Sequence, residues 1–122
     1  MSKTILIVDD QPEIRKLIKF NLEYGGFNII EASDVSKGIE IVKSQAVDLA
    51  IIDISISDSL DGLIMCKALK SNPLTAPIAV IIISGNDSLS VSHAASQAGC
   101  DKFLSKPFSI LKLIESVEKS LT

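Results

Sequence analysis

Short apolar runs that end in polar residues recur along this chain. Each run has the length of a strand, and each is followed by a residue that can bind a metal ion or a phosphoryl group. The runs are residues 5–8 before Asp9-Asp10, 49–52 before Asp53, 79–83 before Ser84, and 102–105 before Lys106-Pro107. Uninterrupted β-branched runs are typical of strands that are covered on both faces, as in a parallel sheet.

Segments with helical periodicity separate these strands. Helices are predicted over residues 12–24, 34–44, from 61 to about 71, from about 88 to 98, and over 109–121, with further strand residues at 27–31 and 100–101. The first helix opens with Pro12 and is ended by Gly25-Gly26, and Ser33 or Asp34 caps the second. Five alternations of strand and helix predict one doubly wound α/β domain over residues 1–122.

The amino-acid composition and net charge exclude several classes of function. The chain is 47% hydrophobic and 22% charged, with a net charge of −3, so it lacks the basic footprint that direct binding of nucleic acid needs. Its apolar runs are too short to span a membrane, and its first residues do not resemble a signal peptide, so a cytoplasmic location is expected. Cys66 and Cys100 form no CxxC pattern and are interpreted as two largely buried thiols.

The polar run ends are expected to meet in space. Parallel strands deliver their carboxyl ends to one edge of the sheet, where open α/β folds bind ligands. Three carboxylates placed there repel one another by about 4 kcal/mol per pair at 4 Å and an effective dielectric of about 20. A cation among Asp9, Asp10 and Asp53 would offset this repulsion, and a donor set made only of oxygen suits Mg²⁺. A carboxylate beside that ion can attack a phosphoryl group, which Lys106 would neutralise and Ser84 would hydrogen-bond.

Each of these residues also has a plain structural interpretation. Asp10 would serve as a helix cap beside Pro12, Lys106-Pro107 as a solvated turn, and Ser84 as the end of a strand. It is their joint arrangement at one sheet edge that favours the functional interpretation.

As a set, these residues resemble the receiver domains of two-component response regulators, and the resemblance covers the whole chain. It is carried by Asp9-Asp10, Asp53, Ser84-Gly85 and the stretch AGCDKFLSKPF at residues 98–108. The resemblance implies a flavodoxin-like five-stranded sheet of order 2-1-3-4-5. It also implies that Asp53 is phosphorylated from a sensor histidine kinase or a histidine phosphotransfer protein.

The resemblance assigns further roles. Asp10 and Asp53 would bind Mg²⁺ directly, Asp9 mostly through water, and the backbone carbonyl of Ser55 would be a further ligand. Ser84 and Phe103 would act as switch residues that change the surface of the fourth helix, fifth strand and fifth helix, and the Lys106-Pro107 bond would be cis. Such a domain catalyses its own phosphorylation and dephosphorylation and is not an enzyme on an external substrate. Its output would go to a partner or a fused effector domain, with dimerisation on phosphorylation as one further outcome.

The chain departs from the usual pattern in the loop after Asp53. Ser57 stands where the family has proline, and Gly62 comes nine residues after Asp53 instead of eight. We expect a mobile loop that weakens Mg²⁺ binding. Phe103 also replaces the tyrosine of many members, so any output that needs the tyrosine hydroxyl is lost.

Three alternatives compete with this interpretation. A haloacid-dehalogenase-type phosphohydrolase needs two aspartates separated by one residue, whereas Asp9 and Asp10 are adjacent. A nucleotide or flavin module needs a glycine-rich loop after the first strand, and none follows here. A pseudo-receiver, which binds partners without being phosphorylated, stays open, with the altered loop as its only support.

Overall fold

Strands and helices alternate through the whole of the described chain. The structure, a computed structural model, describes residues 2–54, 61–85 and 89–122. The elements are β1 (Thr4–Val8), α1 (Pro12–Tyr24), β2 (Asn28–Ala32), α2 (Val35–Ser44), β3 (Leu49–Asp53), α3 (Asp61–Ser71), β4 (Ala79–Ser84), α4 (Leu89–Gln97), β5 (Lys102–Ser105) and α5 (Ile110–Ser120).

The five strands form one parallel sheet with the order β2-β1-β3-β4-β5, as predicted. Leu6 at the centre of β1 pairs with Ile30 on one side and Ala50 on the other. Because β1 and β3 are neighbours, the residues that follow them are brought side by side at the carboxyl edge.

Alternate strand residues build two separate cores, one on each face. Ile5 and Ile7 of β1 face α1 and α5, whereas Leu6 and Val8 face α2, α3 and α4. Every residue of β3 is buried, which explains why its sequence is continuously apolar as far as Asp53. No helix in the described ranges combines the length and hydropathy that crossing a membrane requires.

One alternative interpretation and one predicted boundary are wrong. Gln11, not Asp10, occupies the position before α1, so the cap interpretation of Asp10 does not hold. The strand predicted to begin at Cys100 begins at Lys102, because the Cys100 N–H is still bonded to the Ala95 carbonyl at the end of α4 (3.3 Å). The capping of α2 by Asp34 is confirmed, since its carboxylate accepts the Lys37 N–H at 2.9 Å.

Candidate functional site

Four strands deliver polar side chains to the carboxyl edge of the sheet. Asp9 follows β1, Asp53 ends β3, Ser84 ends β4 and Lys106 follows β5. Asp9, Asp53 and Ser84 are buried, whereas Asp10 is exposed. The sequence therefore located this cluster correctly, although burial separates Asp9 from Asp10.

A partly buried ion pair lies at the centre of the site. The Lys106 ammonium donates to Asp53 Oδ2 with an Nζ–Oδ2 distance of 2.5 Å, and the Asp53 side chain is only 3% exposed. The backbone holds Lys106 in place, because its N–H donates to the Ser84 carbonyl at 2.8 Å. The Lys106-Pro107 bond is cis. Ser84 and Lys106 are thus tied together on adjacent strand ends beside Asp53.

Asp9 is the second buried carboxylate of the site. Its Oδ1 accepts the Gln11 N–H at 2.9 Å, and its residue is 3% exposed. Burial, followed by a hydrogen bond with Asp53, raises the pKa of Asp9 from 3.8 to about 7, although the Gln11 N–H and Lys106 oppose the shift. A cation bound beside the two carboxylates would stabilise their charged forms and oppose this shift.

The carboxylates open into a small cavity of about 140 Å³. Asp9, Asp10 and Asp53 line it together with Asp34 and Asp61 from the starts of α2 and α3. Asp34 caps α2 as predicted and Asp61 is the first residue of α3, and both carboxylates also line this cavity. Asp34 lies two residues after the end of β2 and Asp61 begins the helix that follows β3, and these positions were the signal that would have placed both at this edge.

The donor chemistry of the cavity fits a hard divalent cation such as Mg²⁺. Within the described ranges, no three acidic, cysteine or histidine side chains already form a cluster that would hold a metal by side chains alone. Mg²⁺ usually binds a protein through one or two carboxylates and keeps several of its waters, and this cavity offers such carboxylates. The predicted carbonyl ligand of Ser55, and the loop at 55–60 with Ser57, lie outside the described residues.

The remaining candidates lie away from the cavity. Phe103 on β5 is half-buried and packs against the core formed with α2, α3 and α4. His93 is an exposed residue of α4. Burial raises the pKa of Cys66 to about 11 and raises that of Cys100 as well, which disfavours the thiolate form of both.

A model of the response regulator receiver domain matches residues 5–118. The chain belongs to this family. The receiver domain is 39% identical over 121 residues to the response regulator GtcR of Aneurinibacillus migulanus, covering 99% of this chain and 48% of the relative. It is 33% identical over 109 residues to the alkaline phosphatase synthesis transcriptional regulatory protein PhoP of Bacillus subtilis. This match covers 89% of this chain and 44% of the relative. The chain thus spans about half the length of these curated relatives.

Solved receiver structures share its fold. A CheY-like receiver domain protein of Methanospirillum hungatei superposes with a TM-score of 0.90 at 28% identity, covering 99% of this chain and 94% of that one. The receiver domain of the Francisella response regulator 1452 gives a TM-score of 0.87 at 30% identity, covering 98% of this chain and 97% of that one. These similarities extend over nearly the whole receiver domain.

Proposed function

We propose that the receiver domain is the phosphoacceptor of a two-component or phosphorelay system, with Asp53 as the acceptor. The observation that carries the proposal is the contact between buried Asp53 and Lys106, beside a second buried carboxylate, Asp9. A carboxylate held in this way is a pre-positioned nucleophile, and the ammonium is placed to neutralise an incoming phosphoryl oxygen.

The donor in this proposal is a phosphohistidine of a sensor histidine kinase or a histidine phosphotransfer protein. A carboxylate oxygen of Asp53 attacks phosphorus, the P–N bond to the imidazole breaks, and the imidazole leaves with the bonding electrons and takes up a proton. Lys106 keeps its proton and pairs with the transferred group, and the Ser84 hydroxyl donates to one of its oxygens. The chain thus modifies its own carboxylate and is not an enzyme on an external substrate.

Asp10 and Asp53 would hold Mg²⁺ directly, with Asp9 bonded to it through water and the Ser55 carbonyl as a further ligand. The bound ion would supply the positive charge that the phosphoryl oxygens and the carboxylates require. Asp9, whose pKa is raised to about 7 by burial, would lose its proton when the ion binds.

We further propose that phosphorylation draws Ser84 and then Phe103 inward and so changes the surface formed by α4, β5 and α5. Phe103 is half-buried, so its exposure can still decrease. The output would be received by a protein partner or a fused effector domain, in the cytoplasm where histidine kinases present their phosphohistidine. Dimerisation through this surface would be one such output.

Intact mass after incubation with acetyl phosphate, with and without Mg²⁺, tests this proposal. We expect a Mg²⁺-dependent gain of one phosphoryl group that hydroxylamine removes. The gain should be absent from Asp53→Ala and present in Glu23→Gln, which changes an exposed acid on α1.

If the wild type gains no phosphoryl group, a beryllofluoride complex distinguishes rapid hydrolysis from failure to accept. A protein that binds beryllofluoride at Asp53 but holds no phosphate hydrolyses it quickly. A protein that does neither would contradict the proposal and favour the pseudo-receiver, which binds its partners without phosphorylation.

A further inference from the structure

Arg15 of α1 connects the metal-binding turn to the rest of the sheet. Its Nη1 donates to the Asp9 carbonyl at 2.6 Å, and its Nε donates to Glu31 Oε1 at 3.1 Å. The side chain is 16% exposed, so the contacts are shielded from water. One guanidinium therefore joins α1, β2 and the turn after β1.

The Asp9 carbonyl belongs to the peptide that leads directly into Asp10. Fixing this carbonyl fixes the peptide plane, which ends at the Asp10 Cα, and so sets the position from which the Asp10 side chain leaves the backbone. The Asp9 N–H donates to the Ala32 carbonyl at 3.1 Å, and the Asp9 carboxylate accepts the Gln11 N–H at 2.9 Å. Three contacts thus fix the turn: one with the Ala32 carbonyl in the sheet, one with the Asp9 carboxylate and one with Arg15.

We propose that Arg15 is a positioning residue that holds Asp9 and Asp10 in the arrangement that binds a divalent cation. The inference rests on the proposed Mg²⁺ site. Arg15 touches neither the ion nor the phosphoryl group, and it acts through the backbone of the ligand residues. Glu31 in turn orients the guanidinium, as outer partners of metal ligands commonly do.

Charge and positioning predict effects of opposite sign, which makes the proposal testable. Arg15 is a cation close to a site that binds a cation. If it acted only through its charge, its removal would strengthen Mg²⁺ binding. If it positions the turn, its removal weakens binding, because the turn must then be ordered when the ion arrives.

The experiment is a calorimetric titration of the unphosphorylated domain with MgCl₂ at 25 °C. We expect Arg15→Met to raise the Kd for Mg²⁺ about tenfold, within the range seen for outer partners of metal ligands. Arg15→Lys keeps the positive charge but loses the paired contacts with the Asp9 carbonyl and Glu31. It should raise the Kd less than Arg15→Met does. Lys19→Met is the matched control, because Lys19 also pairs with Glu31 (3.5 Å) but makes no contact with the Asp9 carbonyl. Its Kd should stay within twofold of the wild type.

Urea unfolding in chelator shows whether each variant is folded at the temperature of the titration. If Arg15→Met proves unfolded, Glu31→Gln replaces it, since it weakens the hold on the guanidinium and should raise the Kd by a smaller factor. A Kd for a folded Arg15→Met equal to or lower than that of the wild type overturns the inference and leaves the proposed function intact. A wild type that binds no Mg²⁺ overturns the proposed metal site and this inference with it.

Discussion

The ammonium of Lys106 lies 2.5 Å from a carboxylate oxygen of Asp53, a residue 53 positions earlier in the chain. The contact exists because β5 and β3 end at the same edge of the sheet, separated by β4. The Asp53 side chain is 3% exposed, so Lys106 stabilises a carboxylate that water hardly reaches.

Replacing this lysine should impair both phosphorylation and stability. We expect Lys106→Met to slow phosphorylation from acetyl phosphate at least about tenfold, because one source of positive charge at the developing phosphoryl group is lost. It should also destabilise the metal-free domain by about 1 to 3 kcal/mol, since the buried carboxylate loses its ion pair with Lys106. Initial rates and urea unfolding measure the two effects. Lys102→Met, which changes an exposed lysine at the start of β5, is the control, and equal rates for both variants would contradict the assignment.

The metal-free domain should lose stability as the pH rises. The folded-state pKa of Asp9 is raised from 3.8 to about 7, so between these values the folded protein holds a proton that the unfolded chain releases. The stability that protonated Asp9 contributes is fully present below about pH 4, and it is lost as the pH rises through about 7. Urea unfolding in chelator measures the free energy of unfolding of Asp9→Asn relative to that of the wild type. This difference should rise by about 1 to 3 kcal/mol between about pH 5 and pH 8.

Asp10→Asn provides the comparison for this effect. Asp10 is exposed and water screens its charge, so this change should stabilise the metal-free domain less than Asp9→Asn does. A difference between wild type and Asp9→Asn that stays constant over this pH range would exclude Asp9 as the source.

Two glycines should differ sharply in their tolerance of alanine. A Cβ at Gly62 would clash with Ile54 and lie 2.9 Å from Ile52 Cγ2, whereas a Cβ at Gly38 would meet Val8 Cγ2 at 3.0 Å and the end of the flexible Met65 side chain at 3.1 Å. We expect Gly62→Ala to cost about 2 to 4 kcal/mol of unfolding free energy and Gly38→Ala about 1 or less. Urea unfolding measures both, and adding Ile54→Ala should partly rescue Gly62→Ala. Equal costs at the two positions would contradict the close approach of α3 to β3.

The opposite edge of the sheet contains a purely structural ion pair. Lys70 contacts Asp101 at 2.9 Å and donates to the Ile78 carbonyl at 2.7 Å, while Asp101 accepts the Val80 N–H at 2.8 Å. Lys70→Met should therefore destabilise the domain by about 1 to 3 kcal/mol but leave the rate of phosphorylation per folded molecule unchanged. Lys67→Met changes an exposed lysine of the same helix and should alter neither the stability nor the rate of phosphorylation. A slower rate in Lys70→Met would show that this edge communicates with Asp53.

The sequence was sufficient for the order of the elements, the parallel sheet and the convergence of Asp9, Asp53, Ser84 and Lys106. These features follow from local signals, because a strand buried on both faces must be continuously apolar and parallel strands must end at one edge. Motif resemblance added the strand order and the cis Lys106-Pro107 bond, which the structure also has.

Tertiary structure alone decided how the acidic residues differ from one another. Asp9 and Asp10 are adjacent in the chain, yet one is buried against Asp53 and the other is exposed, because successive residues leave the end of β1 in different directions. Arg15 reaches the Asp9 carbonyl only because α1 packs against the sheet beside β2. Local sequence fixes which residues arrive at an edge, whereas burial, charge balance and distances at that edge depend on packing between segments that are far apart in the chain.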